Sequence, residues 1–277
     1  MGYNVFNTHI IGEKHIRDGT ICQDYSKSYI DQNKMAAIVA DGHGSENYVR
    51  SDRGSRLVCE CALKCILEFT DKIDGKINKE NSDKILRQLE KSIISAWNNA
   101  VNEDYAKEPF TDIEIDMVSE NIKDDFSQGL NIEKAYGTTL VSAVITTDYW
   151  FGLQIGDGKC VILDKDKNFS IPIPPNDKCF LNVTTSICDT NAIDEFRHFF
   201  DTSIPIALFT GTDGVDDSFI NIEQLFSLYD KIYNNFISVG YDEGLKQIND
   251  FLPQLTKKGS GDDVSISGII NIAELVD

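Results

Sequence analysis

Short apolar runs alternate along this chain with longer stretches in which apolar residues recur at helical spacing. The runs 36–40 and 204–210 are strand-like, and each leads into a segment that contains a Gly-flanked aspartate. Segments 138–147 and 149–155 are rich in β-branched and aromatic residues, and 264–270 alternates apolar residues with small ones. These compositions are typical of β-strands. The pattern therefore predicts a core that contains several strands.

A further strand-like run at 159–163 follows the glycine-rich turn at 156–158. Two such runs separated by a few residues that include glycine are a hairpin signal. We therefore expect the strands at 149–155 and 159–163 to pair with each other.

Helical spacing is clearest in four segments. Apolar residues recur every three or four positions within 57–69, 85–101, 222–236 and 245–255. The order of helix pair, strands, helix pair and strand, with mostly short connections, predicts an α+β fold with antiparallel sheets rather than a doubly wound one. The sequence shows no internal repeat or linker, so we expect one domain over residues 1–277.

Two segments depart from these periodic patterns. Residues 103–125 contain nine acidic residues and two lysines. This composition favours a solvated acidic insertion, extending over 103–135, above a dedicated cation trap. Residues 164–203 are irregular and include three closely spaced prolines. Both segments are expected to lie outside the regular core.

Composition narrows the range of partners. The chain has 26 Lys and Arg against 45 Asp and Glu, a net charge of −19. Nucleic acids and anionic membranes require a basic face, so neither is an expected partner. The sequence lacks a leader-like start or a long apolar run, and its seven cysteines are odd in number, which together favour a cytoplasmic protein with free thiols. The cysteines at 59, 61 and 65 fit a helix that packs on the core better than a metal site.

Three aspartates stand beside glycine at the ends of strands. Asp41 and Asp213 follow strands, whereas Asp262 precedes one. In an antiparallel sheet the end of one strand and the start of its neighbour lie at the same edge, so these carboxylates could converge. Two carboxylates about 4 Å apart repel each other by roughly 4 kcal/mol at an effective dielectric of about 20, so such a cluster requires a cation. Oxygen-only donors suit Mg²⁺ or Mn²⁺. The alternative, that these Asp-Gly pairs only form turns, stays open at this point.

Six blocks, in order along nearly the whole chain, resemble the metal-dependent protein phosphatase family, also called protein phosphatase 2C. They are QD at 23–24, VADGHGS at 39–45, GTTL at 137–140, IGDGK at 155–159, FTGTDGV at 209–215 and GDDVS at 261–265. The opening segment 11–24 is similar to a bacterial branch of that family. The resemblance implies a four-layer α/β/β/α sandwich, in which helix pairs flank two packed antiparallel sheets. It also implies hydrolysis of phosphoserine and phosphothreonine, with 164–203 as a flap.

The resemblance also assigns roles to individual residues. Asp41 would bridge two divalent cations, Mn²⁺ or Mg²⁺, and the Gly42 carbonyl would bind one of them. Asp213 and Asp262 would complete the shell of the other cation. Asp24 would lie nearby and hold waters of the ions. A phosphoprotein would be the substrate, with a serine/threonine kinase or its target as a candidate partner.

His43 would be the candidate general acid for the leaving alkoxide, because imidazole titrates near working pH. Three positions depart from the family pattern. Gln23 stands where many members carry a glutamate that contacts a metal through water. A phosphate-binding arginine is expected a few residues before Gln23, and Arg17 is the nearest candidate but has a different offset. The region before the GTTL block reads EKAY at 133–136, which gives a third ion no support.

The sequence leaves three hypotheses for function. The first is a Mg²⁺- or Mn²⁺-dependent phosphatase of phosphoserine and phosphothreonine, because all three strand-end aspartates are present. The second is a catalytically silent adaptor that binds a phosphoprotein or a kinase, motivated by Gln23 and the unplaced arginine. The third is a hydrolase that uses the same site on a small phosphate ester. The acidic composition favours basic phosphopeptides as substrates.

Overall fold

Two five-stranded antiparallel sheets form the centre of the molecule. The computed structural model describes residues 2–73, 76–179 and 183–272. In spatial order, the first sheet contains β1 (Tyr3–Ile10), β10 (Val264–Asn271), β9 (Ala207–Gly211), β6 (Lys159–Leu163) and β7 (Phe169–Ser170). The second sheet contains β2 (Asp24–Ile30), β3 (Lys34–Asp41), β4 (Leu140–Thr146), β5 (Trp150–Ile155) and β8 (Arg197–Asp201). Neighbouring strands are antiparallel in both sheets.

Two pairs of long helices cover the sheets. The helices are α1 (Glu13–Asp18), α2 (Ser51–Ile73), α3 (Ser82–Lys107), α4 (Asp112–Met117), α5 (Glu120–Ser127), α6 (Ala192–Glu195), α7 (Asp213–Asp216), α8 (Ile222–Val239) and α9 (Tyr241–Lys258), with a 3₁₀ helix at Ile132–Tyr136. Of these, α2 and α3 pack on the second sheet, whereas α8 and α9 pack on the first. Among the described residues, no helix is both long enough and apolar enough to cross a bilayer.

Strand β3 is covered on both faces, which explains the unbroken apolar run in its sequence. Met35, Ala37 and Val39 face the space between the sheets, where they join Leu208 and Ile269 of the first sheet. The alternate residues 36, 38 and 40 face α2 and α3. Since side chains of a strand alternate between faces, a strand covered on both sides needs apolar residues at every position. The four-layer α/β/β/α arrangement expected from the sequence is confirmed.

Aromatic packing fixes the first sheet against its helices. The ring of Phe6 on β1 lies 5.0 Å from that of Phe236 on α8. The ring of Phe209 on β9 lies 4.7 Å from that of Tyr229, also on α8. On the other side of the molecule, Cys65 packs against the α2 core, as the helical spacing predicted, and Cys59 is buried there. Cys61, which the same spacing placed on the core face, is only partly buried and lies outside that cluster.

The hairpin predicted across 156–158 is wrong. Strand β5 pairs with β4 and β8 in the second sheet, whereas β6 pairs with β9 and β7 in the first. The turn therefore carries the chain from one sheet to the other. Gly156 has φ of 97°, and a Cβ on Gly158 would lie 2.6 Å from the carbonyl oxygen of Gly211. Glycine is needed here for a close crossing between sheets rather than for a hairpin.

The acidic segment 103–135 differs from the solvated insertion that its composition indicated. It contains the end of α3, then α4, α5 and the 3₁₀ helix. Phe126 and Ile132 are buried in the core beneath α3. Most of the described residues of 164–203 are irregular, as expected, although the segment also contributes β7, α6 and the edge strand β8.

Arg50, which is 1% exposed, anchors the acidic segment to the start of α2. Its Nε and Nη2 donate to the two carboxylate oxygens of Glu114, at 2.6 and 3.0 Å. Its Nη1 donates to the Tyr136 hydroxyl at 2.8 Å and to the Glu108 carbonyl at 2.6 Å. The guanidinium also lies 4.7 Å from the centre of the Phe110 ring. Because the guanidinium is planar and donates to several chain segments at once, it holds those segments in one fixed arrangement.

Replacing Arg50 with Met should destabilise the protein strongly, because Glu114 and the carbonyl groups would lose their buried partner. We expect Arg50→Met to lower the free energy of unfolding by about 3–5 kcal/mol. The matched control is Arg56→Met, at an exposed arginine in the second turn of α2. That change should cost less than about 1 kcal/mol. Urea unfolding of both variants measures the difference, and equal losses would contradict the anchoring role.

His198 joins the edge strand β8 to α3. Its Nδ1 lies 2.8 Å from the buried carboxylate of Glu90, and its Nε2 lies 3.0 Å from Asp83. Arg87 also contacts Glu90, at 3.5 Å. The hydrogen bond to Glu90 raises the pKa of His198 above its usual value. The protonated imidazole therefore stabilises the folded state below the ordinary histidine pKa, and this contribution is lost as the pH rises through the raised folded value.

The variant His198→Gln should consequently be more damaging in acid than in alkali. At pH 6 we expect it to lose roughly 1.5–3 kcal/mol of stability, the range for a hydrogen bond to a charged group. At pH 9 the loss relative to the wild type should be smaller, because the wild-type imidazole is neutral there. Urea unfolding at both pH values tests this, and a loss that does not change with pH would contradict it.

Candidate active site

The strand-end aspartates meet where the two sheets lie against each other. Asp213 begins α7 directly beyond β9, and Asp262 stands just before β10. Since β9 and β10 are neighbours, these two residues share one edge, as predicted. Asp41 reaches the same place from the end of β3, in the other sheet. The sequence argument from a single sheet edge is therefore correct for two aspartates, and the third arrives across the sheet-to-sheet interface.

A pocket of about 580 Å³ opens at this point. Its walls include five of the predicted site residues, Asp41, Gly42, His43, Asp213 and Asp262. The sixth, Asp24, lies directly opposite Asp41 on β2 but is buried below the pocket. The structure thus gathers all six predicted residues into one region.

Backbone hydrogen bonds fix the loop that begins at Asp41. The Asp41 carbonyl accepts from Thr138 Oγ1 at 2.7 Å and from the Thr139 amide at 2.8 Å. The Gly42 amide donates to the Gln23 carbonyl at 3.1 Å, and the His43 amide donates to the Gly137 carbonyl at 3.1 Å. A Cβ at Gly42 would lie 2.6 Å from the Ser51 carbonyl oxygen, so the close packing of this loop requires glycine.

The carboxylates of the pocket wall repel one another. The side chains of Asp41 and Asp213, both half-buried, are in contact. Burial, followed by the charges of Asp213 and Asp24, raises the pKa of Asp41 well above the usual range. Burial, with the charges of Asp157 and Asp217 among the further causes, raises the pKa of Asp213 to about 6. Without a counter-ion, these acids are pushed toward their neutral forms.

Asp24 lies beneath the pocket, next to Thr212. Its Oδ2 accepts from Thr212 Oγ1 at 2.8 Å, while its buried Oδ1 has no partner within the described residues. Burial, together with the charge of Asp263, raises the pKa of Asp24 well above its ordinary value. A buried carboxylate oxygen without a partner is costly, and a cation or a water would remove that cost.

The neighbouring acids Asp262 and Asp263 have different surroundings. Asp262 is half exposed in the pocket, 3.9 Å from the Lys14 ammonium. Asp263 is buried and accepts from the Gly12 amide, from His15 Nδ1 and from the Gln23 amide, at 2.6–2.9 Å. Asp263 therefore ties the N-terminal segment to the site, and Asp262 is the more exposed of the two acids in the pocket wall.

His43 is packed against Tyr48, with ring centres 4.7 Å apart. Its Nε2 is buried and has no hydrogen-bond partner among the described residues. Burial, and secondarily the charge of Lys134, lowers the pKa of His43 to about 4. The imidazole is therefore neutral at physiological pH in this structure.

The donor set of the pocket suits a hard cation. It consists of the Asp41, Asp213 and Asp262 carboxylates, together with the Gly42 carbonyl, and contains no thiolate. In residues 2–73, 76–179 and 183–272, no three His, Cys, Asp or Glu side chains already form a group that could hold one ion. The fit rests on the Asp41–Asp213 contact and the unpartnered Asp24 oxygen, both of which a cation would relieve. Magnesium and manganese ions usually complete such partial shells with water and substrate oxygens.

Sequence reasoning missed several residues of the pocket wall. Asp157 and Asp217 add acidic groups, and burial raises the pKa of Asp157. Lys14 and His15 add basic groups. Arg17 is exposed, pairs with Asp18 and lies outside the wall, so it does not supply the expected arginine. The glycines around Asp157 were the available signal, whereas Lys14 is brought in only by the tertiary placement of α1.

Comparison with known proteins gives a consistent result. A family model described as protein phosphatase 2C matches residues 11–252. A bacterial serine phosphatase is 15% identical with a TM-score of 0.60, and the match covers 97% of each chain. Serine/threonine phosphatase Stp1 from Staphylococcus aureus is 14% identical with a TM-score of 0.60, covering 96% of this chain and 94% of its own.

The catalytic domain of the serine threonine protein phosphatase PstP, in complex with two manganese ions, is 13% identical with a TM-score of 0.54 and 97% coverage of both chains. No curated protein matches the sequence. At these identities the solved structures establish the fold, and the family model covers most of the chain. The chain therefore belongs to the protein phosphatase 2C family.

Proposed function

We propose that this protein is a metal-dependent phosphatase that hydrolyses phosphoserine and phosphothreonine in proteins. The observation that carries the proposal is the contact between the half-buried carboxyl groups of Asp41 and Asp213 in the wall of an open pocket. Fixed carboxylates at this spacing are unfavourable alone and favourable around divalent cations. The solved phosphatases of the same fold, one of them with two manganese ions, support the same interpretation.

In the proposed reaction, Asp41, Asp213, Asp262 and the Gly42 carbonyl would hold two divalent cations, Mn²⁺ or Mg²⁺. When bound, such ions lower the pKa of a water and offset charge on the phosphoryl oxygens. The hydrogen bonds that the Asp41 carbonyl accepts from the Thr138 hydroxyl and the Thr139 amide hold Asp41 in a fixed position. The free Oδ1 of Asp24 can accept a hydrogen bond from a water below the pocket. The protein needs no cysteine or serine nucleophile for this chemistry.

Lys14 supplies positive charge at the mouth of the pocket. Its amide donates to the Gly261 carbonyl at 2.9 Å, which fixes α1 beside Asp262, and its ammonium is half exposed. A lysine ammonium binds phosphate as a point charge and does not need the geometry of arginine. We therefore assign the orientation of the phosphoryl group to Lys14 in place of the arginine that the sequence does not provide.

His43 fits a positioning role better than the general-acid role expected from the sequence. An imidazole with a pKa of about 4 carries almost no acidic proton at pH 7. Its neutral ring can still form a hydrogen bond through the unpartnered Nε2. Since its amide is bound to Gly137 and its ring to Tyr48, the ring orientation is fixed.

The silent-adaptor hypothesis has less support. A protein that only bound a phosphoprotein would not need closely spaced carboxylates. Their mutual repulsion lowers the stability of the fold and contributes nothing to binding an anionic phosphate. A phosphoprotein substrate is favoured over a small phosphate ester because the pocket is open and the solved phosphatases of this fold include protein phosphatases. A serine/threonine kinase or its target is the corresponding candidate partner.

Metal-dependent turnover should require Asp213. The protein should release phosphate from a phosphothreonine peptide in the presence of Mn²⁺ or Mg²⁺, and excess chelator should abolish the reaction. Asp213→Asn should reduce kcat/KM at least about 100-fold, because the loss of one charge weakens the cation site that activates the water. The matched control is Asp250→Asn, an exposed acid on α9, which should retain wild-type activity. Full turnover by Asp213→Asn would show that the site is misassigned.

Two substrates with different leaving groups distinguish a general-acid role of His43 from a positioning role. A general acid matters more for a poor leaving group, so its loss should affect a phosphothreonine peptide far more than p-nitrophenyl phosphate. For a positioning role, we expect His43→Gln to reduce kcat by roughly tenfold on both substrates, the value of about one hydrogen bond. A loss of more than about 100-fold confined to the peptide would restore the general-acid assignment.

A further inference from the structure

A second cavity, of about 570 Å³, lies next to the active site. It is enclosed by α3, by α5 with the 3₁₀ helix, and by the segment 187–193. Ile94, Ile122 and Phe126 form part of an apolar wall. None of the residues assigned above to catalysis or to the metal ions lines this cavity. It is therefore a separate compartment of the molecule.

Three acids, Asp125, Glu133 and Asp189, lie in the cavity wall. Hydrogen bonds fix each of them. Asp125 Oδ2 accepts from Asn131 at 2.7 Å, Glu133 Oε1 accepts from Asn102 at 3.4 Å, and Asp189 Oδ2 accepts from the Ser186 amide at 2.9 Å. The cavity therefore combines an apolar wall with fixed negative charge.

Lys134 is also part of the wall, but its ammonium is engaged with another residue. It donates to the Tyr48 hydroxyl at 2.6 Å and lies 4.4 Å from the centre of the Tyr48 ring. The formal charge of the wall is negative, with three acids against this one lysine. A cationic occupant with an apolar stem complements such a wall, whereas an anionic one does not.

The cavity and the active site share a wall. Tyr48, which holds Lys134 on one side, packs against His43 on the other. The Ile187 amide in the cavity wall donates to the Thr138 carbonyl at 3.0 Å, and Thr138 Oγ1 donates to the Asp41 carbonyl. An extended peptide advances about 3.3–3.6 Å per residue, so a substrate whose phosphorylated residue occupies the active site can place a nearby side chain in this cavity.

From these observations we infer that the cavity binds an arginine or lysine side chain of the phosphoprotein, close in sequence to the phosphorylated residue. The aliphatic stem would lie on Ile94, Ile122 and Phe126, and the cationic head would reach Asp125 and Asp189. This inference rests on the proposed phosphatase function and adds to it the class of substrate, a basic phosphosite.

The test uses pairs of phosphothreonine peptides that differ by one residue, arginine or citrulline, at each of three positions on either side of the phosphothreonine. Citrulline has the shape of arginine without its charge. At one or two positions we expect kcat/KM to be roughly five- to tenfold higher for arginine, with the difference in KM. The preference should fall as salt is raised. Equal turnover of both peptides at every position would overturn the inference.

Variants of the cavity wall test whether the preference for arginine over citrulline arises in the cavity. The double variant Asp125→Asn with Asp189→Asn should bring the arginine-to-citrulline ratio close to one, whereas Glu243→Gln, at an exposed acid on α9, should leave the ratio at its wild-type value. Thr190→Arg, at an exposed residue of the cavity wall, places a guanidinium at the cavity without removing any buried group, and should also abolish the preference. A ratio that neither cavity variant changes would overturn the assignment.

Failure of the phosphatase function is distinguished by metal-dependent hydrolysis of p-nitrophenyl phosphate, which does not need the cavity. If the wild type hydrolyses neither this ester nor any peptide, the proposed function fails, and direct binding of the arginine and citrulline peptides is measured by calorimetry instead. Tighter binding of the arginine peptide to the wild type, lost in Thr190→Arg, would support the cavity. Equal binding of the two peptides, or binding only of apolar peptides, would overturn it.

Discussion

The contact between the carboxyl groups of Asp41 and Asp213 is the constraint on which the account of this protein depends. Asp41 ends a strand of one sheet, whereas Asp213 follows a strand of the other, so the repulsion between them acts across the interface of the two sheets. Apolar packing between the sheets, which includes Met35, Val39 and Leu208, holds the two acids together in spite of that repulsion. The packing energy of the core therefore offsets the repulsion between the two carboxylates, which a bound cation would turn into an attraction.

Two buried charged side chains near the site, Asp263 and Arg50, fix the segments that carry the site residues. Asp263 binds three donors of the N-terminal segment, and Arg50 fixes the far end of the loop that carries Gly42 and His43. Both groups are buried and well satisfied, so they define one conformation of the loop and not several. The acidic helix α4 belongs to this framework, since its Glu114 is the partner of Arg50. The next helix, α5, forms one side of the cavity that we assign to a basic substrate side chain.

How far the sequence predicts this structure depends on whether the controlling interaction is local. The apolar runs and helical spacings predicted six strands and the four long helices, because burial on known faces dictates those patterns. Strands β1 and β2 were missed, because polar residues interrupt their apolar positions. The neighbouring ends of β9 and β10 predicted that Asp213 and Asp262 would meet. The sheet crossing at 156–158 was mistaken for a hairpin, because turn residues alone do not say which sheet the next strand joins. The count of acids in 103–135 concealed the ion pair of Glu114 with the buried Arg50, and the lowered pKa of His43 arises from burial that only the fold creates.

The most direct test of the central claim is the melting temperature of the protein with and without Mn²⁺, in the wild type and in Asp41→Asn. The asparagine amide can donate to Asp213, so the metal-free variant should melt at a higher temperature than the metal-free wild type. Saturating Mn²⁺ should raise the wild-type Tm by roughly 5–10 °C, the shift for a ligand at about 100 times its Kd on a chain of this size, and should leave the variant nearly unchanged. If the metal-free variant is no more stable than the wild type and responds to Mn²⁺ as strongly, the carboxylate contact is not the metal site and the account is wrong.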